Sequence, residues 1–141
     1  MSALMVSTLT RFMRLPLLTI AAIERAAIGG GAELTTFCDH RCMSENAKVQ
    51  FVQTEMGVVP GWGGASRLLN IVSRSHALRL LGAAEPIQGG QEAVQCGFAQ
   101  VSAPPQKTID VATEYMQRQF WGSPDNLARV EAAFSGSKKK K

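Results

Sequence analysis

The spacing of hydrophobic residues divides the chain into short helical and strand-like segments. Residues 1–14 carry apolar side chains at helical intervals, and Pro16 ends the predicted helix because the residue before a proline is pushed towards extended backbone. Residues 17–23 form an apolar run with β-branched members, which is typical of a buried strand in a sheet covered on both faces. A triple glycine and the helix-forming run Ala32 to Cys38 follow, so the first unit is strand, glycine turn and helix.

The remainder of the chain continues this alternation of short strands and amphipathic helices. Strands are predicted over 40–43, 48–53 and 98–101. Helices are predicted from the glycine-rich segment near residue 63, after a Ser73 or Ser75 cap, over 89–96, over 108–120, and from Ser123 onward. Their buried sides are expected to carry, among others, Leu68, Leu69, Leu78 and Leu80. The fold class that these elements predict is α/β.

Length and composition exclude several classes of protein. The chain has 141 residues, of which 45% are hydrophobic and 18% charged, against about 25% charged in a typical globular protein. This composition excludes disorder for most of the chain and predicts one domain or part of one. The most apolar stretch, Leu15 to Ile23, is far shorter than the roughly 20 residues of a membrane-spanning helix. No membrane partner is therefore expected.

Basic charge is concentrated at the C-terminus. The formal net charge is +4, and the run Lys138 to Lys141 supplies four of the lysines. Without that run the basic and acidic residues balance, so a basic face for nucleic acid is not expected. The predicted organisation is a folded domain over 1–134 and a disordered, lysine-rich tail over 135–141.

Cysteine usage and the N-terminal composition indicate the compartment. The three cysteines, Cys38, Cys42 and Cys96, lack the CxxC spacing of zinc and redox sites, so no metal site is expected and a reducing compartment is favoured. Cys38 and Cys42 are four residues apart, which would place them on one helical face as small buried hydrophobes. The segment 1–14 contains two arginines and no acid, as mitochondrial transit peptides do. An ordinary helix of the domain is the preferred interpretation, so a cytosolic location is expected, with mitochondria as the alternative.

The triple glycine is the part of the sequence most informative about chemistry. Consecutive glycines let the backbone approach a ligand, and N–H groups at a helix N-terminus favour an anion. The sequence has neither the lysine–serine pair of a P-loop nor the GxGxxG spacing of dinucleotide sites at this point. An anion site and a glycine turn made for packing both remain open. Glu33, in the first turn of the predicted helix, is either a capping acid or a catalytic one, and Glu55 faces either the same cleft or water.

The other polar residues are assigned structural roles. Asp39 is expected to accept hydrogen bonds within the fold rather than to act as a base, and Arg67 to lie on a solvated helix face. His40 and His76 have no partner at the spacing of a metal ligand or a catalytic base.

Several of these motifs, taken together, resemble the crotonase (enoyl-CoA hydratase/isomerase) superfamily. The resemblance rests on Pro16 to Ile23, Gly29-Gly30-Gly31-Ala32-Glu33-Leu34, Cys38-Asp39, the run Glu55 to Gly64, and Arg67-Leu68. It implies part of a spiral of ββα turns followed by C-terminal helices, in a homo-oligomer of the trimeric type. It also implies an acyl-CoA thioester as substrate and neither a metal nor an organic cofactor, because CoA belongs to the substrate.

The resemblance further implies a site in which backbone N–H groups hold a thioester enolate. The family pattern places one of these groups on Gly30 and a catalytic carboxylate on Glu33. The residues implied in substrate binding are Gly29, Gly31, Gln53, Glu55, Pro60, Gly61 and Trp62. The run Ala32 to Thr36 and the tryptophan before Gly63 are most similar to the decarboxylating branch, which removes CO₂ from ethylmalonyl-CoA. A lyase of that type is the implied activity.

Three departures from the family pattern leave alternatives open. Hydratases of the superfamily use two glutamates, and the second falls on Gln53, which cannot be a general base, so a hydratase or isomerase is the weaker alternative. Arg25 stands where the family has a small glycine in a tight bend. The chain also starts after the half of the pattern that supplies the first strands and a second oxyanion N–H. The other alternative is therefore a catalytically inactive, shortened module that assembles with crotonase subunits.

Overall fold

Helices and short strands alternate through residues 2–119, which together with 127–128 are the residues that the computed structural model describes. The helices are α1 (Ser2–Met13), α2 (Gly30–Thr35), α3 (Gly64–Ile71), α4 (Arg74–Gly82), α5 (Gly89–Gln95) and α6 (Thr108–Gln119). The strands are β1 (Ile20–Ile23), β2 (Ala26–Ile28), β3 (His40–Ser44), β4 (Lys48–Gln50), β5 (Ile87–Gln88) and β6 (Val101–Ala103). A 3₁₀ helix covers Val52–Met56. The helix predicted from Ser123, apart from 127–128, and the tail predicted over 135–141 lie outside the described residues.

The strands form two three-stranded sheets that interleave along the chain. The first sheet has the order β1-β3-β6 and is parallel, whereas the second has the order β2-β4-β5 and ends in an antiparallel pair. Ile20 lies opposite His40 in the first sheet, and Ala26 lies opposite Lys48 in the second. The parallel returns from β1 to β3 and from β2 to β4 both pass through α2, whereas the return from β3 to β6 passes through α3, α4 and α5. The expected α/β architecture of a partial ββα spiral is confirmed.

The main hydrophobic core draws side chains from both sheets and from α2 to α5. Its largest fully buried side chains include Phe51 and Phe98. On the central strand β3, Met43 belongs to this core, while the neighbouring Cys42 belongs to a smaller cluster beneath α6. Adjacent strand residues face opposite sides of a sheet, so β3 is covered on both faces, as buried parallel strands usually are.

Strands β1 and β2 are the outer edges of their sheets, each paired with one neighbour among the described residues. Ile28 on β2 and Leu34 on α2 are 45% and 46% exposed beside these edges. A cavity of about 320 Å³ opens between β1, β2 and α2, lined by Ile23, Ala27 and Cys38 among others. Unpaired N–H and C=O groups along such an edge are a template for pairing with another strand.

The strand predicted over 17–23 is wrong in its first half. Strand β1 begins at Ile20, and both Leu17 and Leu18 are exposed. Just before β1, the Asp39 carboxylate accepts hydrogen bonds from the main-chain N–H and the hydroxyl of Thr19, each 2.8 Å long. Pairing with β3 starts beyond this link, and among the described residues no strand pairs with the two leucines before it. Asp39 is the structural acceptor that was expected.

Two other predicted strands have different bounds. The strand predicted over 48–53 ends at Gln50, because the chain turns into the 3₁₀ helix from Val52. The strand predicted over 98–101 begins only at Val101, since Phe98 and Ala99 are core residues that follow α5. In both places the apolar side chains are buried as expected, but by packing rather than by strand pairing.

Strand β2 was not predicted, and it explains how Arg25 is accommodated. Arg25 lies in the two-residue link between β1 and β2, where its side chain is exposed. Its carbonyl accepts a hydrogen bond of 2.7 Å from the N–H of Lys48. The bend therefore uses only the backbone of residue 25, and a long polar side chain there meets water.

The predicted helices are largely present, with corrected ends and faces. Helix α1 matches its prediction, and Ser73 rather than Ser75 caps α4, its hydroxyl accepting the N–H of His76 at 3.3 Å. Leu68 and Leu80 are buried as predicted, whereas their neighbours on the predicted faces, Leu69 and Leu78, are exposed.

Helix α2 begins at Gly30 rather than Ala32, so the glycines form its first turn, and it ends at Thr35. Cys38 therefore follows the helix and Cys42 lies on β3, so the shared helical face predicted for the two cysteines is wrong. Within residues 2–119, no helix combines the length and the apolar composition needed to cross a bilayer.

Candidate functional site

The start of α2 is held in place by main-chain contacts of Gly29. Gly29 has a positive φ of 57°, which favours glycine, and its N–H donates to the carbonyl of Gln50 at 2.9 Å. Its carbonyl accepts the N–H of Glu33 at 3.0 Å, which closes the first turn. The N–H groups of a first helical turn have no acceptor within their own helix, so they are available to a ligand. Gly31, next in the turn, has open space beside it, since an ideal Cβ there would meet no heavy atom within 4 Å.

Gly30 is in close contact with the indole ring of Trp62. An ideal Cβ on Gly30 would lie 2.5 Å from Cη2 and 2.7 Å from Cζ3 of that ring. Real Cβ contacts are essentially never that short, so any side chain at position 30 would displace the tryptophan. The ring, half-buried, therefore covers one side of the first residue of α2.

Glu33 is buried and accepts three hydrogen bonds. Its Oε2 accepts the main-chain N–H of Trp62 at 2.9 Å and that of Gly64 at 3.0 Å, and its Oε1 accepts Nε2 of Gln53 at 3.0 Å. Gly64 is the first residue of α3, so the carboxylate caps that helix and not its own. Glu33 therefore has the capping role that the sequence left open, but on the neighbouring helix α3. Its part in catalysis stays a prediction.

Gln53 lies beside Glu33, at the position where the family's second glutamate was expected. A carboxylate can only accept, so the amide must turn its NH₂ group towards Glu33. Its Oε1 is then buried without a hydrogen-bond partner among the described residues. The structure thus brings Gly30, Glu33, Gln53 and Trp62 together, and their roles in catalysis and binding stay predictions.

The remaining predicted binding residues lie at the margin of this group. Pro60 is half-buried and Gly61 exposed, in the loop that leads to Trp62. Glu55 is exposed on the 3₁₀ helix. Its part in substrate binding, like those of Pro60 and Gly61, stays a prediction.

Arg67 was wrongly expected on a solvated face. Its guanidinium lies over the Phe37 ring, 3.8 Å from the ring centroid, and its Nη1 donates to the carbonyl of Gly63 at 3.1 Å. It therefore also holds the end of this loop, through the carbonyl of Gly63. The only feature of the sequence that could have indicated this contact is the four-residue spacing between Gly63 and Arg67, which is about one helical turn.

Asp39, His40 and His76 lie outside this site, and each has a hydrogen-bond partner within the fold. Burial raises the pKa of Asp39, but the hydrogen bonds from Thr19 outweigh it and lower that pKa below its usual value. His40 Nδ1 is 3.3 Å from the Tyr115 hydroxyl, and His76 Nδ1 is 2.9 Å from the Ser73 hydroxyl. Within residues 2–119 and 127–128, no cluster of three His, Cys, Asp or Glu side chains is arranged to hold a metal ion.

Comparison with known proteins identifies the family to which the chain is similar. The family model described as enoyl-CoA hydratase/isomerase matches residues 2–141. The chain is 46% identical over 121 residues to a rat (Rattus norvegicus) protein named ethylmalonyl-CoA decarboxylase, covering 86% of this chain and 39% of that protein. It is 52% identical over 99 residues to the Xenopus laevis protein of that name, covering 70% of this chain and 33% of the relative.

Two solved structures that resemble this chain bear names of the enoyl-CoA hydratase type. An enoyl-CoA hydratase from Bacillus anthracis superposes with a TM-score of 0.78 at 30% identity, covering 83% of this chain and 45% of that one. A Thermobifida fusca structure in complex with acetoacetyl-CoA superposes with a TM-score of 0.74 at 25% identity, covering 96% and 52%. The chain spans about two fifths of the rat relative's length, 39%. On these similarities and on its fold, the chain belongs to the enoyl-CoA hydratase/isomerase (crotonase) family.

Proposed function

We propose that this chain acts as an acyl-CoA lyase of the ethylmalonyl-CoA decarboxylase type, converting ethylmalonyl-CoA to CO₂ and butyryl-CoA. The observation that carries the proposal is the start of α2, where Gly30 packs against the Trp62 ring near the buried Glu33, and where first-turn N–H groups have no acceptor within their own helix. Relatives that are 46% and 52% identical bear the decarboxylase name. Family membership supports an acyl-CoA thioester as the substrate class.

The chemistry requires stabilisation of developing negative charge. When the bond between the α-carbon and the carboxylate carbon breaks, CO₂ leaves and the electron pair passes into the thioester as an enolate. An N–H aimed at the thioester oxygen stabilises this enolate, and a single donor of that kind is worth about 10²–10³ in rate. A proton taken from solvent then adds to the α-carbon and restores the thioester. We assign the donor to Gly30; this chemistry needs neither a metal nor an organic cofactor.

Gln53 supports a lyase over a hydratase. Addition of water to an enoyl thioester needs a base that takes a proton from the water molecule. The amide of Gln53 cannot do so, and it stands 3.0 Å from Glu33, where the second carboxylate of a hydratase pair would be. Loss of CO₂ has no such requirement.

The test compares two substitutions at one position. Gly30→Ala and Gly30→Pro both add a Cβ that meets Trp62, and only proline also removes the N–H. Proline is tolerated at the first position of a helix, so both variants are expected to keep α2. Butyryl-CoA formed from ethylmalonyl-CoA is measured by mass spectrometry for the two variants and for the unchanged chain.

The proposal predicts that Gly30→Pro forms product about 10²–10³ times more slowly than Gly30→Ala. Equal rates in the two variants would show that the N–H of Gly30 takes no part. A folded, unchanged chain that forms no butyryl-CoA would overturn the lyase assignment for this chain, while its family membership would stand.

A second candidate function is that of an inactive module that assembles with crotonase subunits or with itself. The open edges of β1 and β2, with the half-exposed Ile28 and the adjoining cavity, favour it. Ile28→Lys places a charge on this edge and should weaken association, measured by analytical ultracentrifugation with and without a full-length family member. Leu78→Lys, at an exposed position of α4 outside both sheets, is the matched control. Association that Ile28→Lys leaves unchanged would contradict this function.

A further inference from the structure

The loop before α3 is bonded to Glu33 near its end, to the carbonyl of Gln53 through the N–H of Val58, and to Arg67 through the carbonyl of Gly63. Residues 57–63 contain no helix or strand, and Val58 and Val59 within them are exposed. Near the end of this loop, the carboxylate of Glu33 accepts the N–H groups of Trp62 and Gly64, at 2.9 and 3.0 Å. These two bonds bracket the tryptophan and determine where its backbone lies.

The position of the Trp62 backbone determines what its ring covers. Three atoms of the six-membered ring, Cη2, Cζ3 and Cζ2, would lie 2.5, 2.7 and 3.2 Å from an ideal Cβ on Gly30. Trp62 is only half-buried, so part of its surface is accessible. The α-carbon of a thioester held by the N–H of Gly30 is two bonds from the bound oxygen, within reach of the ring.

We propose that Glu33 is a positioning residue, which holds the Trp62 ring against Gly30 and so makes the ring a wall of the acyl site. The part of this proposal that concerns the acyl group rests on the proposed lyase function. Glu33 acts through Trp62: the carboxylate holds the loop, and the ring excludes water from the side of α2 where the enolate forms. Three hydrogen bonds occupy most of the four or so acceptor sites of a carboxylate, which suits holding better than proton transfer.

The arrangement around Gln53 provides a conservative variant. In Glu33→Gln, one side-chain oxygen can still accept the N–H groups of Trp62 and Gly64, while the new NH₂ group faces Gln53. Gln53 can then turn its amide, so that Oε1, which has no partner among the described residues, accepts from residue 33. This variant keeps the ties to the loop but removes any acid–base function of residue 33.

Two less conservative variants remove the ties. Glu33→Ala removes all three acceptor bonds, and Glu33→Asp keeps a carboxylate that is one methylene too short to reach the same N–H groups.

The chain contains two tryptophans, so Trp121→Phe leaves Trp62 as the only one. The experiment records Trp62 emission of the ligand-free protein in this background, far-UV circular dichroism to show folding, and butyryl-CoA formation from ethylmalonyl-CoA.

The proposal predicts that Glu33→Ala and Glu33→Asp shift Trp62 emission to the red and lower product formation about 10²-fold, since misplacing a site wall by an ångström can cost that much. Glu33→Gln should restore the emission and most of the lost rate. Product formation as low in Glu33→Gln as in Glu33→Ala, with unchanged emission, would overturn the proposal and assign proton transfer to Glu33. Unchanged emission in folded Glu33→Ala or Glu33→Asp would also overturn it. If the unchanged chain forms no product, the lyase function fails, and the emission spectra still decide whether Glu33 holds Trp62.

Discussion

Gly64 packs directly against Glu33. An ideal Cβ on Gly64 would lie 2.6 Å from the Cγ of Glu33 and 3.1 Å from its Cα. At this point helix α3 contributes no side chain to the contact, and its backbone packs directly on the Glu33 side chain of α2. The same approach brings the N–H of Gly64 within 3.0 Å of the carboxylate that it binds.

Gly64→Ala should lower the free energy of unfolding by about 1–3 kcal/mol, the usual cost of forcing an extra carbon into a packed interior. Gly31→Ala is the matched control, because a Cβ there meets no heavy atom within 4 Å. Alanine is the better helix former, so this control should raise the free energy of unfolding by up to about 1 kcal/mol. Urea denaturation measures both, and effects of the same sign would contradict the close packing of α2 on α3.

Ser73 and Ser75 give a second matched pair. Ser73 caps α4 through the N–H of His76, whereas Ser75 lies within the helix. Ser73→Ala should therefore lower the free energy of unfolding by about 0.5–2 kcal/mol, the range for loss of an N-cap. Ser75→Ala should change it little. A larger loss from Ser75→Ala in thermal unfolding would show that the helix starts after Arg74.

Arg41 is a buried cation whose hydrogen bonds go to main-chain carbonyls. Its guanidinium donates to the carbonyls of Phe98 at 2.5 Å and Cys38 at 2.9 Å, and burial lowers its pKa. Arg41→Met should cost about 1–3 kcal/mol for each carbonyl that it leaves buried without a donor. Arg79→Met, which breaks only the exposed ion pair with Glu85, should cost less than about 1 kcal/mol. Similar unfolding midpoints for the two variants would argue against the buried site.

The Cys42 thiol gives a pH dependence. Burial raises its pKa from 9.0 to about 11, so the unfolded chain ionises this thiol before the folded chain does. Its contribution to stability is complete below pH 9.0 and is lost as the pH rises towards about 11. Cys42→Ala should flatten the fall in urea midpoint over that interval. A fall of equal steepness in the variant would assign it to other groups.

Local sequence patterns predicted the elements at the site but not their mutual contacts. The glycine turn leading into a helix, and the helix of residues 2–13, follow from short-range spacing, because glycine and apolar periodicity act within a few residues. Strand β2 is three residues long and exists through its pairing with β4, which local spacing does not report.

The bonds made by Glu33 could not be predicted for a related reason. Two of its three donors are main-chain N–H groups, of Trp62 and Gly64, and every residue except proline carries such a donor. No residue type marks them out in the sequence. The buried hydrogen bonds of Arg41 could not be predicted for the same reason, because their acceptors are main-chain carbonyls. Gln53 was placed in the site by the resemblance, whereas its contact with Glu33 depends on how the 3₁₀ helix folds back.

The interleaving of the two sheets also determines how the protein opens. Successive strands β1 to β4 alternate between the sheets, and the links between them are only a few residues long, apart from the one that contains α2. One sheet therefore cannot separate while the other stays intact, because each short link would have to stretch across the gap. In hydrogen-exchange measurements, the amides of Ala22 in the first sheet and Val49 in the second should then exchange through the same global opening, with the same dependence on denaturant.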